Sequence, residues 1–146
     1  MTIQRMDNVG IVVDDLDAAI AFFRELGMEL EGTAPISGPF ADTTMGLEGL
    51  RCDIAMMRTP DGNSRIELAK YLAPAAVDAG QRDRPHHTLG MHRIMFLVED
   101  IDDVVARLRP HGAELVGGIA RYEDSYRLCY VRGPEGIFVG LSEKLG

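Results

Sequence analysis

MDNVGIVVDDLDAAIAFFRELGMELEG (residues 6–32) returns without a gap as MHRIMFLVEDIDDVVARLRPHGAELVG (residues 91–117). At an offset of 85 positions (Asn8 against Arg93), Met6 meets Met91, Val13 meets Val98, and Asp15 and Asp17 meet Asp100 and Asp102. Arg24 then meets Arg109, Gly27 meets Gly112, and Glu29-Leu30 meets Glu114-Leu115. Hydrophobic patterning alone does not dictate paired arginines and glycines, so the match reads as internal duplication: two modules of one plan.

Each copy opens on a β-branched apolar run, Asn8 to Val13 and 93–98, which reads as a strand. Asp14 or Asp15 offers an N-cap, and acidic residues in the first turn suit the helix dipole. Leu16, Ile20 and Phe23, and their mates Ile101, Val105 and Leu108, form one stripe of an amphipathic helix. Gly27 stops the first helix, and the second runs from about Ile101 to His111, where a basic side chain suits the C-terminal dipole. Strands are expected at Met28 to Glu31, Cys52 to Arg58 and Arg65 to Tyr71, then near 113–119, at 125–132 and at 137–142. Turns at Pro60-Asp61-Gly62-Asn63 and Gly133-Pro134-Glu135-Gly136 join the last two strands of each copy. Residues 33–51 lack periodicity and are long for a plain connection, which predicts a functional loop or lid. The expected organisation is one domain over 1–146: module 6–72, a linker 73–90 with a helical turn over Pro74 to Ala79, and module 91–146.

Composition narrows the function class. A chain of 146 residues, 46% hydrophobic, can bury a sizeable core. Its net charge of −8 and lack of any basic run argue against nucleic acid or an anionic membrane as partner. Cys52 and Cys129 read as reduced strand residues, and no apolar run approaches membrane-spanning length, so a cytoplasmic protein is expected. Phosphate-binding glycine loops, C-x-x-C, H-E-x-x-H and nucleophile-elbow motifs are all absent.

Paired β-α-β-β-β modules, with V-x-D-[LI]-D after the first strand and P-[DE]-G before the last, resemble the vicinal oxygen chelate superfamily. That family holds glyoxalase I, bleomycin-resistance proteins, methylmalonyl-CoA epimerases, fosfomycin-resistance enzymes and extradiol dioxygenases. RMDNVGIVV, SRIELAKYL, DSYRLCY and GIFVGLSEKLG are closer still to uncharacterised bacterial "glyoxalase family" proteins. The resemblance implies an α+β fold in which two tandem βαβββ modules form a cup-shaped, eight-stranded mixed sheet with the helices outside. It also implies a homodimer and a cup that binds a small molecule. In the family's enzymes the cup holds a divalent metal through four repeat-related positions: the start of the first strand of each module, often His, and the last strand, usually Glu. Hard oxygen and nitrogen ligands hold such a cation while its open positions polarise a substrate.

Strand alternation assigns these positions. Val9, Ile11 and Val13 lie toward the helix, so Asn8, Gly10 and Val12 face the cup. By the same parity Arg93, Met95 and Leu97 face it, as do Arg65, Glu67 and Ala69 on the fourth strand and Phe138, Gly140 and Ser142 on the last. The quartet therefore reads Asn8, Glu67, Arg93 and Gly140. Glu67 matches; Asn8 is a weak ligand, Gly140 has no side chain, and Arg93 cannot give up a proton to bind a cation. His92 is one residue out of register and so turned to the other face, and His86-His87 read as a solvated loop.

No metal or other cofactor is therefore expected. Arg93 supplies the positive charge, and Glu67 is expected to be its counter-ion, so that losing Arg93 alone costs more than losing both. Met45 and Met56 offer soft contacts, and Tyr122, Tyr126 and Tyr130 cover the third strand of the second module. The predicted ligand contacts are Asn8, Gly10, Val12, Arg65, Glu67, Arg93, Met95, Leu97, Phe138 and Gly140. A flat, largely apolar molecule with one polar edge fits them, held rather than transformed. The alternative is a lyase, isomerase or dioxygenase, with or without a divalent metal, in which Glu67 is the general base and Arg93 steadies an oxyanion.

Overall fold

Alternation and capping decide where each element forms. A computed structural model describes residues 2–146 as two compact units, the first reaching to Asp78 and the second running Ala79–Gly146. The fold is α+β, with two four-stranded mixed sheets and three α-helices. The first unit runs β1 (Val9–Val12), α1 (Leu16–Leu26), β2 (Glu29–Ser37), α2 (Pro39–Met45), β3 (Arg51–Arg58) and β4 (Arg65–Ala73). The second runs β5 (Arg93–Leu97), α3 (Ile101–Leu108), β6 (Ala120–Tyr122), β7 (Tyr126–Arg132) and β8 (Phe138–Lys144). Strand order is β1-β4-β3-β2 in one sheet and β5-β8-β7-β6 in the other, the same topology twice. Gly10 pairs with Glu67, and its repeat-mate Met95 pairs with Gly140, so Glu67 and Gly140 are equivalent positions.

The two helices start and stop alike. The Asp15 carboxylate accepts from Ala18 N at 3.0 Å and the Asp100 carboxylate from Asp103 N at 3.2 Å, caps worth about 1 kcal/mol each. Gly27 (φ +121°) ends α1, and Gly112 (φ +90°) ends the 3-10 turn Arg109–His111 into which α3 runs, both in left-handed backbone that a side chain resists. Ala19, Ile20, Phe22 and Phe23 of α1 are buried, as are Ile101, Val104, Val105 and Leu108 of α3. Each large side chain so sealed contributes roughly 1.5–3 kcal/mol of hydrophobic free energy. In the first unit they lie over the face of Ile66, Leu68, Ala55 and Met57, also buried; in the second, over Val139, Leu141, Cys129 and Val131.

Four expectations need correction. Residues 33–51 are not a structureless loop: 33–37 continue β2, 39–45 form α2, and the Asp42 carboxylate ties down Gly49 N and Leu50 N at 3.0 and 2.9 Å. Pro74 to Ala79 holds a turn but no helix. The strand expected at 113–119 is reduced to one bridge, Leu115 with Val131, and the paired segment is β6 at 120–122. Two adjacent glycines, Gly117 and Gly118, weaken the strand where it was expected. The histidine segment, finally, is a loop with His87 exposed, but His86 is not solvated. His86 is half-buried against the second sheet, as described below.

Candidate functional site

In the first unit, register fixes what the face turned away from α1 presents. One row across the sheet reads Gly10, Glu67, Met56, Gly32, and the next Val12, Ala69, Ile54, Ala34. A Cβ at Gly10 would meet nothing within 4 Å, so Glu67 has open space on that side and Met56 on the other. Glu67 is half-buried, and within its unit its carboxylate accepts no hydrogen bond and joins no ion pair. Val12 is 50% exposed on the same face. Asn8 lies just before β1 and is exposed.

The two ends of this face are closed differently. At one end Arg65 donates to Glu31 at 2.7 and 3.3 Å and Arg58 to Glu29 at 2.6 Å, so the Arg65 charge is already answered. At the other end Ala41, Leu47 and Leu50, on α2 and the turn after it, pack onto Cys52, Ile36, Ile54 and Tyr71. Cys52 and Tyr71 share the parity of Ile54 and Glu67, so α2 covers part of the Glu67 face. Burial, aided by the negative charges of Glu67 and Asp53, pushes the Cys52 thiol up, and burial pushes the Tyr71 hydroxyl up as well. Both stay protonated at neutral pH.

The second unit fills its matching positions with other chemistry. The rows read Arg93-Phe138-Arg132, then Met95-Gly140-Tyr130, then Leu97-Ser142-Leu128-Ala120. A Cβ at Gly140 would stand 2.8 Å from Met95 Cε and 3.0 Å from Tyr130 Cε1. Those two side chains occupy the space that a glutamate at this position would need. Arg93 is exposed, and its Nη1 reaches both the Tyr130 hydroxyl and His86 Nε2 at 3.1 Å. Met95 is 49% and Leu97 61% exposed. Tyr122 and Tyr126 stack at 5.5 Å at the end of the same face.

The segment before β5 is strapped onto this face. The His86 ring stacks on Phe138 with centroids 4.4 Å apart and meets Tyr130 edge-on at 4.4 Å. Arg132 donates to Arg84 O at 2.7 Å, Arg82 pairs with Glu135 at 2.7 Å, and His92 Nε2 meets His86 O at 2.8 Å. Burial, reinforced by the cationic Arg93, holds the His86 imidazole below its ordinary pKa. A neutral ring gives Nε2 the lone pair with which it accepts from Arg93. Under the strap and beneath the Arg132 guanidinium, 4.3 Å away, Phe138 is 0% exposed. It lies on the expected face but is sealed.

The metal quartet does not fit a cation. Arg93 cannot ligate, Gly140 has no side chain and a Cβ there would crowd Met95 and Tyr130, and Asn8 is a poor donor. Among the described residues no group of three or more His, Cys, Asp or Glu side chains comes together. Sequence reasoning missed His86 and Tyr130. The signal for Tyr130 was a large residue directly across from a glycine on the neighbouring strand.

A family model described as the Glyoxalase/Bleomycin resistance protein/Dioxygenase superfamily matches residues 5–141. The chain belongs to that superfamily. Among glyoxalase-superfamily proteins of known structure, a glyoxalase family protein from Bacillus cereus is 53% identical, with a TM-score of 0.95, over 100% of this chain and 97% of that one. The uncharacterized protein YwbC of Bacillus subtilis (strain 168) is 26% identical over 139 residues, 93% of this chain and 94% of the relative. TnmS3, an antibiotic binding protein from Streptomyces sp. CB03234, shares the superfamily fold at 20% identity and a TM-score of 0.58, over 99% of this chain and 98% of that one. Among the described residues no helix is long and apolar enough to cross a membrane.

Proposed function

We propose that this chain binds a small, largely apolar molecule against the sheet faces turned away from α1 and α3, and holds it unchanged without a metal. In the first unit Glu67 is the ionic anchor, beside the open surface of Gly10 and Val12; in the second Arg93 is, beside Met95 and Leu97. One observation carries this reading: Met95 and Tyr130 fill the place of a second carboxylate ligand at Gly140. Superfamily members differ in chemistry, so a fold shared with an antibiotic binding protein agrees with sequestration but names no ligand. The chain is further proposed to work as a homodimer in the cytoplasm.

A second reading has one observation in its favour. Glu67 stands between Gly10 and Met56 with no partner in its unit, which leaves its carboxylate free to take a proton from a molecule lying in that row. The chain would then be a lyase, isomerase or dioxygenase of the superfamily.

Metal analysis of protein purified without chelator, joined to a thermal-shift screen of small molecules, tests both. The expected result is no stoichiometric metal and recovery of each bound compound with its mass unchanged. A changed mass that Glu67→Gln abolishes would establish the second reading. Stoichiometric metal lost in Glu67→Gln would overturn the metal-free account.

A further inference from the structure

We infer that the molecule bound at this site carries a planar anionic group, a carboxylate or its like, which docks on Arg93 while its apolar body lies along Met95 and Leu97. The inference rests on the binding reading and adds to it the ligand's charge and orientation.

The donors of Arg93 are unevenly used. Both contacts of the guanidinium, to Tyr130 and His86, are made by Nη1. Nε and Nη2 therefore keep their hydrogens within the unit, and these two form the side-on fork that matches the two oxygens of a carboxylate. Both existing partners are neutral acceptors, so they orient the guanidinium without cancelling its charge. None of the unit's carboxylates pairs with Arg93, and several are engaged elsewhere. Glu143 and Asp102 hold Arg127 at 2.8 and 3.0 Å, Glu135 holds Arg82, and Asp124 holds Arg121 at 2.9 Å.

What adjoins the fork is apolar. Met95 and Leu97 follow Arg93 on the same face of β5, and four residues of strand span about 13 Å. Met95 is about half exposed and Leu97 more so. Met95 is also the softer kind of wall, able to shift its thioether against ligands of different outline. Beside Arg93, Phe138 is sealed under His86, so the exposed apolar surface nearest the fork on this strand is Met95 and Leu97.

Calorimetric titration with 2-naphthoate and the neutral isostere 2-naphthamide tests this, using the full-length protein and acetate and inorganic phosphate as controls. The expected result is naphthoate binding about tenfold or more tighter than naphthamide, the size of one charge-assisted fork. Arg93→Gln should erase that preference, and Arg93→Lys, with a charge but no fork, should keep part of it. Leu97→Asp should weaken both naphthyl compounds, and acetate should bind far more weakly than naphthoate. Equal affinity for acid and amide, or a preference that survives Arg93→Gln, would overturn the anion assignment while the binding reading stands. Tighter binding of phosphate than of naphthoate would overturn the apolar-body half. Binding of neither naphthyl compound would overturn this inference and the binding reading together.

Discussion

The guanidinium of Arg93 meets the hydroxyl of Tyr130 at 3.1 Å, although 37 residues separate them along the chain. The contact crosses the sheet above Gly140, which lies between β5 and β7 in the strand order. It fixes a permanent cation where most of the superfamily's enzymes are expected to hold a metal ligand. Tyr130 also excludes the carboxylate that would have accompanied that ligand.

Restoring a side chain at Gly140 should therefore be costly. Gly140→Ala is expected to lose about 1–3 kcal/mol, the usual range for overpacking, because Met95 and Tyr130 must move. Adding Met95→Ala should recover most of that loss. Urea denaturation of the three proteins checks it, and additive losses in the double variant would show that the two residues do not compete for one space.

Gly136 should be the strap's most sensitive point. A Cβ there would stand 2.6 Å from the Arg82 Cα and closer still to the Arg82 carbonyl oxygen, in backbone at φ +77°. Gly136→Ala is expected to cost about 1–3 kcal/mol from the conformation alone, and to lift residues 82–90 off the sheet. Limited proteolysis should then cut within that segment much earlier than in the parent protein.

Acid should loosen the same strap. The folded pKa of His86 lies below its ordinary 6.5, so the unfolded chain takes up its proton first. The stability that neutral His86 provides is present above pH 6.5 and falls away as pH drops through that value toward the folded one. Arg93, His92, Arg132 and His87 all oppose a charge on that ring. Melting temperatures between pH 8 and pH 5 should fall, and His86→Gln should flatten the slope. The carboxylates of Glu31, Asp61 and Glu143 are held low by their partners and titrate only at lower pH, which separates their effect.

Much of this was legible in the sequence because it is written locally. The caps Asp15 and Asp100, the stops Gly27 and Gly112 and the apolar stripes of α1 and α3 each depend on residues within one or two turns. The parity of Arg93, Met95 and Leu97 follows from strand alternation, and their exposure pattern agrees with it. What escaped depends on distant partners. PFADTTM has little intrinsic helical preference, and α2 is held by Ala41, Leu47 and Leu50 against strands that follow it. His86 sits in a segment without periodicity and is ordered by Phe138, Tyr130 and Arg93, residues up to 52 positions away.

Duplication by itself would have given this protein the same chemistry twice. Exchange of Asn8 for Arg93 and of Glu67 for Gly140 between the copies ends that equivalence. Each unit now presents a charge of its own sign, a carboxylate in the first and a guanidinium in the second. A substitution in one copy can thus alter one charge and leave the other as it was.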